Sequence, residues 1–182
     1  MSIKIRPITV SDKDRWLELF KEYIVFYKSH LSDEQFELTW QRLNSGFNIN
    51  GLLAELDGKV VGFTHYIFRP STWAVEDFCY LEDLFVDPAV RGGGVGRALI
   101  KAVEEIAIAK GSKRLYWTTA PDNETARKLY DKVANLKKLS VPQLKEYLLG
   151  SLKDEKIYKN LIFEQPIIER IVSIGFSIED PT

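Results

Sequence analysis

Tyr80-Leu81-Glu82-Asp83-Leu84-Phe85-Val86-Asp87-Pro88-Ala89-Val90-Arg91-Gly92-Gly93-Gly94-Val95-Gly96-Arg97 is the stretch from which the rest of the chain can be read. Its first seven residues suit a strand, which Asp87-Pro88 ends because proline has no N–H with which to continue a ladder. Four glycines then fall within five positions, and a helix starting at Val95 carries Leu99, Ala102, Val103 and Ile106 on one side. It stops at Lys110-Gly111, a basic last turn followed by a glycine terminator. A strand that passes through small residues into a helix presents free main-chain N–H groups at the positive end of the helix dipole, which is an anion site. Glycine matters there because a side chain would hold phosphate oxygens away from the amides. Arg91 and Arg97 flank the amides and add cationic charge. The plain alternative is a flexible turn.

Two familiar phosphate loops fail on spacing. A nucleoside-triphosphate loop needs Gly-Lys-Ser/Thr at its end, whereas Gly96 is followed by Arg97-Ala98. The dinucleotide fingerprint needs a third glycine three positions after the second, and Leu99 or Arg97 stands there instead.

Outward from this stretch the pattern is that of one α/β domain. Ile3, Ile5 and Ile8 read as a first strand, and Ser11-Asp12 as the cap of a helix whose stripe is Trp16, Leu19, Phe20, Tyr23 and Tyr27. A second helix runs from Ser32-Asp33-Glu34 through Phe36, Trp40 and Leu43 to Gly46. Asp57-Gly58 is the turn of a two-residue hairpin. Arg114–Thr119 reads as a strand, Pro121-Asp122-Asn123 as loop and cap, and Ala126, Leu129, Tyr130 and Val133 as a further helix. From Asn135 the tail reads as one or two short helices with a small element at Gly175-Phe176.

Composition narrows the class. The chain has 182 residues, a formal net charge of -1 and 45% hydrophobic residues, enough for a closed core and too balanced for a duplex-wide phosphate footprint. No nucleic-acid partner is expected. Cys79 is the single cysteine, so no intrachain disulfide is expected, and a small buried hydrophobe is the natural reading of it. Nothing resembles a secretory leader or a membrane span, so the expectation is a soluble, cytoplasmic protein. His30, read as ending a helix, and His65, in a strand, have no second metal-type ligand nearby and are read as structural. Trp73, Tyr66, Phe68 and Phe78 could wall an amine pocket, although core packing explains them better.

The remaining loop pattern, Arg/Gln-x-x-Gly-x-Gly/Ala, is matched by Arg91, Gly94 and Gly96 and resembles the coenzyme A loop of the GNAT superfamily of N-acetyltransferases. With Tyr80–Val86, Arg91-Gly92, Asn123 and Tyr130, the resemblance covers residues 3–134 and is similar in particular to the diamine (spermidine/spermine) and yeast-type histone and polyamine acetyltransferases. It implies an α/β acyltransferase fold, a mixed and mostly antiparallel sheet with helices on both faces. It implies acetyl-CoA as cosubstrate, no metal, and a small-molecule amine such as a polyamine as acceptor. Protein lysine, an amino acid, or coenzyme A binding without turnover stand as alternatives. The resemblance also allows a homodimer.

It implies roles residue by residue. An alkylammonium with a pKa near ~10 must lose a proton before it attacks a thioester, and Glu82, nine residues before Arg91, matches the family's acidic residue that faces the amine. Glu82 is thus read as general base and, with Asp83, as a substrate contact. On a regular strand the two would face opposite ways, so both reach the cleft only through a bulge, which the family's strand carries. A solvated carboxylate is the alternative for each. Leu84, Phe85 and Val86 would lend main-chain groups to the pantetheine arm, with the Val86 N–H polarising the thioester carbonyl. Arg91, Gly92, Gly93, Gly94, Val95, Gly96 and Arg97 would hold the diphosphate. Asn123 and Ala126 match cofactor-contacting positions, with a helix cap as the alternative for Asn123. Tyr130 would protonate the leaving thiolate, with a core tyrosine as the alternative. From Asn135 the sequence departs from the family, so residues 135–182 are read as a divergent, largely helical segment on a core of residues 1–134.

Overall fold

A computed structural model describes residues 2–46, 48–72, 74–120, 122–137 and 174–179. Two compact units share the chain: Met1–Leu115 with Glu179–Thr182, and Tyr116–Ile178.

The first unit contains β1 (Ile3–Pro7), α1 (Lys13–Phe26), α2 (Asp33–Asn44), β2 (Ile49–Leu56), β3 (Lys59–Arg69), β4 (Phe78–Val86) and α3 (Val95–Ala109). Its four strands lie side by side in chain order, each antiparallel to the next. The β2–β3 turn has positive φ at both Asp57 and Gly58, the backbone that matches the twist of a two-residue hairpin. One face of the sheet is covered by α1 and α2. Trp16, Leu19 and Phe20 of α1 and Phe36 and Trp40 of α2 form a core with Leu53, Phe63 and Phe85 of the strands. Alternation turns Tyr66 and Phe68 to the other face, where Lys110, just past α3, lies 4.6 Å from the Phe68 ring. Leu99, Ile100, Val103 and Ala107 are the buried stripe of α3.

Three local readings change. Asp12 stands at the N-cap of α1 but makes no side-chain capping bond there. Its carboxylate takes a bidentate pair of bonds from Arg6 at 2.7 and 2.8 Å and one from the Thr9 hydroxyl at 2.7 Å. These bonds, Arg6 first, hold its pKa well below the usual carboxylate range. Tyr27 lies beyond the end of α1 and is exposed, because the helix closes at Phe26 and Lys28 takes positive φ. His30 consequently stands in the α1–α2 connection rather than at a helix end.

The second unit holds most of β5 (Arg114–Thr119), with α4 (Glu124–Tyr130), β6 (Asn135–Lys137) and β7 (Ile174–Glu179). Tyr130 ends α4, and Val133 lies in the turn that follows, where its N–H donates back to the Tyr130 carbonyl. The tail does not open as helix. Asn135–Lys137 is a strand, paired antiparallel with Gly175–Ser177 of β7. The helices read between them fall at residues 138–173, outside the described residues.

Candidate active site

The glycine loop is built by the end of β4 and the start of α3. A short 3-10 turn, Pro88–Val90, follows Asp87, whose carboxylate accepts from the Ala89 N–H at 3.0 Å. Gly92 and Gly94 then take φ of 85° and 89°, a region that side chains rarely enter. A Cβ at Gly92 would meet nothing within 4 Å, and one at Gly94 only Ile3 Cδ1 at 3.9 Å, so space lies open over both. Among the described residues, no protein acceptor takes the main-chain N–H groups of residues 92–97. The first recorded bond in this turn is Ala98 N–H to Gly94 O at 3.0 Å. These amides lead into the 15-residue helix α3 and carry the positive end of its dipole. A diphosphate fits such a cradle.

Arg91 points partly back toward β4. Its Nε donates to Val86 O at 2.9 Å, and its guanidinium lies 5.5 Å from the Phe85 ring and 5.7 Å from Phe26. The charge is therefore held over an aromatic shelf beside the loop.

On β4 the pairing settles how the carboxylates stand. Tyr66 is opposite Leu81 and His65 opposite Asp83, so Glu82 is the extra residue of a β-bulge. The bulge carries Asp83 and Phe85 to the face of His65 and Phe63, whereas Cys79 and Leu81, opposite Phe68 and Tyr66, lie on the other. Glu82 stands exposed. Desolvation by the surrounding protein nonetheless raises its pKa, and Asp83 adds to the rise. Asp83 is instead tied to His65, with Oδ2 at 2.8 Å from Nδ1, and the Trp16 indole donates to His65 Nε2 at 2.9 Å.

Further along, Asp87 N–H donates to Val61 O at 2.9 Å. By antiparallel alternation, Phe85 then bonds across to Phe63 with its own N–H and C=O. Of the three residues read as lending main-chain groups, only Leu84 and Val86 turn theirs away from β3. Opposite Val86 is Gly62, where an added Cβ would fall 2.7 Å from Phe85 O.

In the second unit, the Asn123 side chain accepts from Ala126 N–H at 3.2 Å and so caps α4. Ala126 is half-buried. Tyr130 is buried, its ring 5.4 Å from Trp117 in an edge contact. Tyr66 and Phe68 are buried, Phe78 packs under Arg114, and Trp73 lies outside the described residues. Cys79 is buried and its thiol is pushed up to about 12, which suits a packing residue rather than a nucleophile. Among the described residues no cluster of three His, Cys, Asp or Glu side chains could hold a metal, and no helix is long and apolar enough to cross a membrane.

Sequence reasoning missed the contact that joins Trp16, His65 and Asp83. The spacings of 49 and 18 residues carry no local signal, and only the β3–β4 register reveals it.

Residues 14–135 match the model of the acetyltransferase (GNAT) family. The chain belongs to this family. The GNAT acetyltransferase described here is 36% identical over 135 residues to the D-amino-acid N-acetyltransferase of Saccharomyces cerevisiae, covering 72% of this chain and 84% of that protein. It is 33% identical over 143 residues to the thialysine N-epsilon-acetyltransferase of Mus musculus, covering 71% and 81%. Its fold is similar to that of the PaiA N-acetyltransferase of Thermoplasma acidophilum, solved in complex with coenzyme A. That likeness has a TM-score of 0.64 at 16% identity and covers 99% of this chain and 100% of the other. As a GNAT acetyltransferase, it is an acyltransferase with acetyl-CoA as cosubstrate.

Proposed function

We propose that this acetyltransferase acetylates the primary amine of a small molecule such as a polyamine, with Glu82 as general base. The observation that carries the reading is the bulge, which sets an exposed carboxylate of raised proton affinity on the strand leading into the open-amide loop. Acetyl-CoA supplies the acetyl thioester. The amides of residues 92–97 hold its diphosphate, with Arg91 and Arg97 adding charge. Leu84 and Val86 offer main-chain groups along the pantetheine arm, and the Val86 N–H donates to the thioester oxygen as negative charge grows there. Glu82 takes the ammonium proton, directly or through a water, and Asp83 adds negative potential that draws the cation. Tyr130 gives its phenolic proton to the departing thiolate, with Asn123 and Ala126 as further coenzyme contacts. The buried thiol of a single cysteine supports the cytoplasm as the setting.

One observation favours a second acceptor class. Two of the relatives that match over most of their length are named for D-amino acids and thialysine, which supports an amino-acid amine in place of a polyamine. Thiol release from acetyl-CoA across a panel of polyamines, amino acids and a lysine peptide separates these. Saturable release with small amines, falling by about a hundred-fold in Tyr130→Phe, is the expected result. Release with the peptide alone, or coenzyme binding without release for any amine, would refute the reading.

A further inference from the structure

The two carboxylates at the bulge live in different surroundings. His65 is 1% exposed, and both its ring nitrogens are engaged. An indole N–H can only donate, so the 2.9 Å contact from Trp16 Nε1 makes His65 Nε2 an acceptor that carries no proton. The ring proton therefore sits on Nδ1 and is donated to Asp83 Oδ2 at 2.8 Å. The register sets this up, since Asp83 lies directly opposite His65 while Glu82 is squeezed out between Asp83 and Leu81. The Thr64 hydroxyl, one residue along β3, holds the Asp83 carbonyl at 2.7 Å and fixes the same peptide from the main-chain side.

We propose that His65 is a positioning residue for acyl transfer: locked by Trp16 in its Nδ1–H tautomer, it holds Asp83 as a charged acceptor on the α1 face, so that Glu82 alone meets the amine beside a fixed negative charge. This rests on Glu82 being the base. Among the described residues the titratable groups that bear on Glu82 are Asp83 on β4 and, were it protonated, His65 on β3, while α1 brings the uncharged indole of Trp16. A neutral imidazole suits the task better than a lysine or arginine. It directs one hydrogen bond at Asp83 without a full positive charge near the base, which would pull the proton affinity of Glu82 down.

The test is the pH profile of kcat/KM for the acceptor amine, measured on the full chain. Asp83→Asn keeps an acceptor for His65 and removes the charge, and the acid limb should move to lower pH by about half a unit. His65→Met fills the space without a donor. Asp83 is then no longer held on the α1 face, its charge can turn toward Glu82, and the limb should move up. His65→Gln, with an acceptor for Trp16 and a donor for Asp83, should bring the limb back toward wild type. Added to Asp83→Asn, His65→Met should shift the limb no further, because its effect runs through that carboxylate.

A His65→Met enzyme that loses stability or turnover but keeps the wild-type limb would make His65 a packing residue and overturn the proposal. Where that variant does not fold, Asp83→Asn decides, and an unmoved limb overturns it. Glu82→Gln separates the two levels. A limb that survives in Glu82→Gln removes the base and this inference together, whereas a limb that vanishes there yet ignores His65 and Asp83 sinks the inference alone.

Discussion

The glycine loop and the β4 bulge lie a few residues apart, yet they are made in opposite ways. The loop is main chain throughout: the groups proposed to hold the diphosphate are amides, and what positions them is the freedom of Gly92 and Gly94 to take positive φ. The bulge is a matter of side chains placed by pairing, and Glu82 is pushed outward because His65 and Tyr66 of a different strand claim Asp83 and Leu81. A ligand cradle of backbone is encoded locally and is robust to what surrounds it. A base displayed by a register depends on everything that holds the register, including the Trp16–His65–Asp83 contact.

Breaking the bulge's product should have the largest effect. Glu82→Gln is expected to lower kcat by about a hundred- to a thousand-fold with little change in the KM for acetyl-CoA, measured by steady-state thiol release. The wild-type profile should fall as pH drops, because a protonated carboxyl cannot accept a proton. That fall should sit above the ordinary glutamate range, since desolvation by the surrounding protein and the charge of Asp83 raise the pKa of Glu82. Breaking the loop should show the reverse kinetic signature. Gly94→Val forces a β-branched residue to φ of 89° and is expected to raise the KM for acetyl-CoA by roughly thirty-fold, with about 1–2 kcal/mol lost in urea unfolding. A variant that lowered kcat alone would mean that this backbone does not carry the coenzyme. The smallest change sharpens the link between the two regions. Gly62→Ala places a methyl 2.7 Å from Phe85 O, so the Phe85–Val86 peptide must shift, at about 1–3 kcal/mol of stability and a several-fold loss of kcat. A thermal melt alongside the rate assay would separate the two consequences.

What could be read before the fold was known follows the same division. Residues close in sequence announced themselves: the Asp57-Gly58 turn, the stripe of α3 with its Gly111 stop, and the run of glycines each carry their geometry in neighbouring letters. The bulge could be named as a condition, because two adjacent acidic residues on a strand raise the question of faces, but the sequence could not say that Asp83 would be consumed by His65. That contact needs three elements brought together, and His65 read alone is just a histidine in a strand. Asn135–Lys137 reads as helix in the sequence for a similar reason. A three-residue strand has no period, and its partner lies some forty positions away at Gly175–Ser177. Asp12 misled in a different way, since a helix cap and a salt-bridge partner call for the same residue, and Arg6 outcompeted the helix amides for its oxygens.

The bulge also says what the sheet does not need. With Leu81 opposite Tyr66 and Asp83 opposite His65, deleting Glu82 would leave a regular ladder in which each flanking side chain keeps its partner and Phe85 stays against Phe63. The residue read as the proton acceptor is thus a surplus link in the strand, dispensable to the architecture that displays it. Under the proposed reading, one lost codon would leave a folded chain without its general base.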